Sequence, residues 1–238
     1  MPKKNHQVRK VLNLPSVKLP IKPLTSKQLD QDIKGRLHKI NQEFTGGFDF
    51  IKDNVKSVTF FGSARFKEDD PYYQKAVRLG ERLADLGYAV VTGGGPGVME
   101  GANQGAWKRN GKSLGLTIRL DKEQVRNPYV TDFFEFYYFF TRKVCLTFSA
   151  EAFVYFPGGF GTLDEVFEIL TLVQTNKIQK VPVILVGKKF WLPFDQFIKK
   201  TLYQQFKAID QEDLKLYQIT DDEERIIEII KKAPIIYN

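Results

Sequence analysis

The run Pro157-Gly158-Gly159-Phe160-Gly161-Thr162-Leu163-Asp164-Glu165 sets three glycines ahead of a carboxylate. It follows the apolar segment 152–156 and precedes Val166, Phe167, Ile169, Leu170 and Val173, which recur at helical spacing, so it reads as a strand-to-helix turn. Glycines leave backbone amides unshielded, and the start of a helix carries positive partial charge. Such a turn receives an anion, most simply a phosphate. Glu165 then places a negative charge one turn inside the helix, beside the anion pocket. Two readings are open for it. Thr162 and Glu165 have the spacing of a capping box, with Asp164 and Glu168 completing a solvated acidic face. Alternatively, Glu165 is a working carboxylate.

The rest of the composition narrows what chemistry could accompany it. Both histidines, His6 and His38, lie in the first 40 residues, and the single cysteine, Cys145, sits in the apolar Val144-Cys145-Leu146. Unless the N-terminal arm folds back, the main domain has no Ser-His-Asp triad, Cys-His pair or His-rich metal site. Reactive groups must come from carboxylates, Arg, Lys, Tyr or hydroxyls. Cys145 reads as a small buried hydrophobe, and a reducing cytoplasm suits a chain with one thiol. The start of the chain lacks a signal-peptide core, because Pro15 and Pro20 interrupt it, and no run approaches membrane-spanning length.

The formal charge of +8 invites a nucleic-acid reading, but its location argues against one. Ten of the 36 basic residues, and only two of the 28 acidic ones, fall in residues 1–40, so the remainder is balanced. At most the arm touches polyanions. Residues 1–25, basic and proline-bearing, read as a flexible arm. Leu29, Ile33, Leu37, Ile40 and Phe44 predict a helix over 26–47, ended by Gly46-Gly47, whose apolar stripe needs a partner. Residues 48–238 form the main domain.

That domain alternates. Strands are expected over 58–61, 88–91, 114–118, 152–156, 181–186 and 216–219. Helices are expected from Pro71 to Leu86, from Val98, around Arg142, after Glu165, over 194–206 and over 223–232, with an aromatic run from Phe133 to Phe140 left unassigned. Single helices between strands imply right-handed crossovers and an α/β fold, a doubly wound, mainly parallel sheet covered on both faces. Ligands in such sheets sit at the carboxyl ends of the strands. The turns at Gly62, Gly93 and Gly158 all follow strands, so they are expected to converge on one crevice.

Three other signals fail. The glycines from Gly93 to Gly101 miss the dinucleotide register, since Glu100 stands where a glycine is needed. Gly105 to Ser113 has five residues where a Walker loop has four, and it runs from helix to strand. Nothing marks a lysine for pyridoxal phosphate. No metal and no cofactor are expected.

Taken together, Gly93-Gly94-Gly95-Pro96-Gly97-Val98-Met99-Glu100, the pair Arg142-Lys143 and the Pro157–Glu165 run resemble the signatures of the Lonely Guy family. These are nucleoside 5'-monophosphate phosphoribohydrolases often labelled lysine decarboxylases. The resemblance covers roughly residues 46–207, and Gly62-Ser63-Ala64-Arg65 fits a bacterial branch with an N-terminal extension. It implies a Rossmann-like domain that hydrolyses the N-glycosidic bond of AMP or a cytokinin riboside monophosphate, releasing free base and ribose 5-phosphate. On this resemblance Glu165 and Arg142 are the catalytic residues. Lys143, Gly158, Gly159, Gly161 and Thr162 bind substrate, together with Glu123, Gly62, Ser63, Gly94, Gly95, Glu100 and Thr171. It also implies at least a homodimer. A non-catalytic nucleotide carrier of the same fold is the competing expectation.

Overall fold

The computed structural model describes residues 25–54, 56–119, 126–148 and 150–234. The expected arm therefore lies, except for Thr25, outside the described residues. So does Glu123. The chain divides between Lys39 and Ile40 into two units.

In order, the elements are α1 (Ser26–Lys52), β1 (Ser57–Phe61), α2 (Pro71–Asp85), β2 (Ala89–Thr92), α3 (Val98–Lys108), β3 (Ser113–Ile118) and β4 (Asp132–Phe136). They continue with α4 (Phe139–Phe148), β5 (Ala152–Tyr155), α5 (Phe160–Gln174), β6 (Val183–Leu185), α6 (Lys188–Phe197), β7 (Gln218–Ile219) and α7 (Glu223–Lys231). A π-helical stretch, Ile198–Gln205, extends α6, and a 3-10 turn, Gln211–Lys215, precedes β7. Among the described residues no helix is long and apolar enough to cross a membrane.

The seven strands form one parallel sheet in the order β4-β3-β2-β1-β5-β6-β7, a Rossmann-like α/β fold. Alternation along the strands feeds two apolar layers. In β1, Val58 and Phe60 face the layer of α2, α3 and α7, while Phe61 faces the layer of α4 and α5. Local signals set the helix limits. Asp70 accepts the Tyr72 N–H at 2.7 Å and Pro71 holds the first helical position, so α2 begins where a cap and a proline coincide. Cys145 is buried in the core, as its apolar neighbours predicted.

Two expectations need correction. Gly46 and Gly47 do not end α1, which continues to Lys52. Their missing side chains admit neighbours instead: a Cβ on Gly46 would lie 2.5 Å from the Phe134 ring, and one on Gly47 would lie 2.6 Å from Cys145 Sγ. The glycines thus serve close packing in an unbroken helix, a use that a stop signal mimics. The unassigned aromatic run divides into the edge strand β4 and the start of α4. Aromatic residues suit both a pleated surface and a buried helix face, so periodicity alone could not split it.

Candidate active site

The chain runs outward from β1 through β2 and β3 to β4, then returns to the other side of β1 as β5. The carboxyl ends of β1 and β5 therefore flank the point where the winding reverses, and loops leaving them part to opposite faces. The rings of Phe61 and Tyr155 stack there with centroids 4.8 Å apart. Beyond them the Ser63 N–H donates to the Pro157 carbonyl at 2.9 Å, tying the Gly62 turn to the Gly158 turn. The Val98 N–H donates to the Ser63 carbonyl at 3.1 Å, tying in the start of α3. That contact requires Gly97: its φ is +74°, and a Cβ would collide with the Ser63 carbonyl oxygen.

Around this junction lies a cleft of about 780 Å³. Gly62 and Ser63 line it from the first turn, Gly93 from the second, and Gly158, Gly159, Gly161 and Thr162 from the third. The three glycine turns converge as the alternation of elements predicted. Arg142, Lys143 and Glu165 complete the wall from α4 and α5. Gly94 borders a small neighbouring recess with Arg126 and Phe133, and the Gly95 carbonyl accepts the Asn127 side-chain amide at 3.0 Å. Glu100 and Thr171 are not part of the cleft wall; the Thr171 hydroxyl donates to the Phe167 carbonyl one turn back along α5.

The capping-box reading of Glu165 does not hold. Gly159 occupies the cap position and α5 begins at Phe160, so Thr162 lies within the first turn and Glu165 in the second. The Leu163 N–H makes the first turn's bond to the Gly159 carbonyl at 3.1 Å. The amides of Phe160, Gly161 and Thr162 precede it and have no acceptor within the helix, which leaves them for an anion in the cleft. Gly158 must be glycine, since a Cβ there would collide with the Thr162 hydroxyl.

Arg142 owes its position to a residue that no sequence signal singled out. Glu43 of α1, 7% exposed, accepts the N–H of Tyr137 at 2.8 Å, the N–H of Tyr138 at 3.3 Å and the hydroxyl of Thr141 at 2.6 Å. A buried carboxylate thus gathers the donors at the start of α4 and complements its dipole. One residue further on, Arg142 turns into the cleft with 12% of its side chain exposed. Its guanidinium fills the space left by Gly93, where a Cβ would stand 2.7 Å from Nη2 and 3.0 Å from Met99 Sδ. Arg142 Nε is buried without a hydrogen-bond partner. Burial pushes the Arg142 pKa down, and the Glu165 charge opposes that shift.

Glu165 Oε1 lies 3.9 Å from Arg142 Nη2, with 17% of its side chain exposed. Burial raises its pKa to about 7, against the opposing pull of Arg142. The Tyr155 hydroxyl, donating to the Glu165 carbonyl at 3.2 Å, fixes that turn of α5 to the sheet. Lys143 points along α5, with Nζ 2.8 Å from Asp164 and 3.1 Å from Glu168. It clamps α4 to α5. The pair Arg142–Glu165 is therefore held from both helices, with the α5 amides close by.

A parallel sheet with a glycine-lined cleft at its switch point defines a Rossmann-like α/β protein. The chain belongs to the family described as possible lysine decarboxylase, whose model matches residues 99–230, the Lonely Guy family. It is 32% identical over 154 residues to the cytokinin riboside 5'-monophosphate phosphoribohydrolase LOG of Oryza sativa subsp. japonica, covering 63% of each chain. It is 27% identical over 159 residues to the pyrimidine/purine nucleotide 5'-monophosphate nucleosidase of Escherichia coli (strain K12), covering 61% of this chain and 35% of that one. The chain thus spans less than two thirds of the length of either relative. Among solved structures, the molybdenum cofactor carrier protein of Chlamydomonas reinhardtii superposes with a TM-score of 0.57 at 22% identity, covering 75% of this chain and 98% of that one. At that identity the likeness is one of fold.

Proposed function

We propose that the protein hydrolyses the N-glycosidic bond of a nucleoside 5'-monophosphate, giving free base and ribose 5-phosphate. The observation that carries this reading is the Arg142–Glu165 pair, largely withdrawn from water beside the amides that open α5. Substrate enters with its 5'-phosphate on the amides of Phe160, Gly161 and Thr162, which sets the ribose over Glu165. As the bond from C1' to the base nitrogen breaks, its electron pair leaves with the base and positive charge develops on the ribose. The ionised Glu165 stabilises that charge and then accepts a proton from the water that attacks C1'; that proton ends on the departed base nitrogen, which gives the neutral base and restores the carboxylate. Arg142 faces the departing base and offsets the negative charge it gains. Lys143 holds the two helices in register while this happens. The rice and E. coli relatives, named for cleavage of nucleoside 5'-monophosphates, support the same class of substrate.

A homodimer and residence in the cytoplasm belong to the proposal. The exposed aromatic side chains Phe48 of α1 and Phe148 of α4, edge to face with centroids 5.6 Å apart, support the dimer. Light scattering at dimer mass is the expected result.

The test is incubation with AMP, and separately with an N6-prenylated AMP, followed by chromatography for free base. Stoichiometric release of base and ribose 5-phosphate is expected. A nucleotide carrier would bind both compounds and release neither base.

A further inference from the structure

Three cationic side chains line the cleft: Arg65, Arg142 and Lys143. Two are engaged, Arg142 facing Glu165 and Lys143 bound to Asp164 and Glu168. The Arg65 side chain has neither an ion pair nor a hydrogen bond among the described residues. This is unusual among the described residues. Arg36, Arg78, Arg82, Arg109, Arg119 and Arg225, all partly or largely exposed, each reach a carboxylate. Arg126 instead covers the Phe133 ring at 3.7 Å.

The backbone that carries Arg65 is nevertheless held firmly. Its N–H donates to the Ser63 hydroxyl at 3.1 Å, closing a local turn. Ser63 itself is fastened on two sides, its N–H to Pro157 and its carbonyl to the Val98 N–H. One of those ties leads straight into the Pro157-Gly158-Gly159 turn that opens α5. A guanidinium without a partner, on a fixed turn bound to an anion-receiving turn, suits a ligand carrying two or more phosphate oxygens.

We propose that Arg65 grips the 5'-phosphate of the substrate, and so is the residue that separates nucleoside monophosphates from unphosphorylated nucleosides. The inference rests on the nucleotide reading of the cleft and adds a determinant of specificity to it. The α5 amides supply directed donors but only partial charge, and a phosphate dianion in the cleft also meets the carboxylates of Asp164 and Glu165. Arg65 supplies a full positive charge from the turn tied to theirs.

The experiment compares the wild-type protein with Arg65→Ala and Arg65→Lys. Binding of ribose 5-phosphate and of adenosine is measured by calorimetry, and KM and kcat for AMP are measured alongside. Because the side chain makes no ion pair or hydrogen bond among the described residues, the melting temperature of each variant is expected to match the wild type. Arg65→Ala is expected to weaken ribose 5-phosphate binding and raise KM for AMP about 10- to 100-fold, with adenosine affinity unmoved. Arg65→Lys, a point charge without the planar fork, is expected to recover part of the loss. Unchanged ribose 5-phosphate affinity in Arg65→Ala, an equal loss of adenosine affinity, or no ribose 5-phosphate binding by the wild type would overturn the inference. Failure of the hydrolase reading looks different. In that case AMP yields no base, while ribose 5-phosphate binding still depends on Arg65.

Discussion

Arg142 Nη2 and Glu165 Oε1 stand 3.9 Å apart, close enough to feel each other's charge and too far for a hydrogen bond. Opposite charges free to meet would close that gap. Here α4 and α5 hold them apart, with Lys143 bridging the helices and Glu43 fixing the start of α4. An open pair of this kind leaves both groups available to a substrate.

The first prediction concerns what holds Arg142. In Gly93→Ala the new methyl group competes with the tip of a flexible side chain, so the fold accommodates it and the guanidinium moves. Base release is expected to fall by roughly 10²-fold, the usual cost of misplacing an electrostatic group. Thermal unfolding is expected to change by no more than about 1–2 kcal/mol. Loss of the fold together with activity would contradict the assignment of Gly93 as a space-maker.

Glu43 provides a second test, from the opposite end of α4. Glu43→Ala leaves two backbone donors and the Thr141 hydroxyl without their carboxylate in a buried setting, which is expected to cost about 2–3 kcal/mol in denaturant unfolding. It is also expected to lower kcat, since Arg142 follows Thr141 directly. Glu43→Gln retains one acceptor oxygen and should fall between the wild type and Glu43→Ala on both measures.

How much of this could be read in the chain depends on the range of the interaction. The glycine turns are local signals, and alternation of strands and helices already aligned them at the carboxyl ends of the strands. Arg142 and Glu165 were legible through their resemblance to a family. Glu43 was not, because it acts on Thr141 98 positions away and carries no motif of its own. Gly93 is visible as a glycine but not as the cavity for Arg142, a contact between distant elements. Thr162 and Glu165 misled for a simpler reason: capping-box spacing counts residues, and the helix starts three residues earlier than that count assumes.

The raised pKa of Glu165 fixes a pH signature. Its folded value, about 7, exceeds the ordinary 4.5, so the folded state favours the protonated acid. The associated stability is fully present below pH 4.5 and is lost as pH rises through about 7. Relative to Glu165→Gln, which does not titrate, the wild type is expected to lose about 3 kcal/mol across that window, with no further change above it. Paired denaturant titrations from pH 4 to 8.5 measure the difference. A flat difference would place Glu165 in bulk water.

The proposed hydrolysis uses the other form. Because the ionised carboxylate stabilises the ribose cation, kcat for AMP is expected to rise with pH through about 7 and then level off. A rate that falls across the same range would assign Glu165 as a proton donor to the leaving base.

The most direct measurement is the rate of adenine release from AMP by the wild type and by Glu165→Gln, followed by chromatography at pH 7.5. Steady release by the wild type and a drop of roughly 10²-fold or more in the variant, with AMP still bound, is the predicted result. Equal release by the two proteins, or none by the wild type, would contradict the assignment of this cleft as a glycosidic active site.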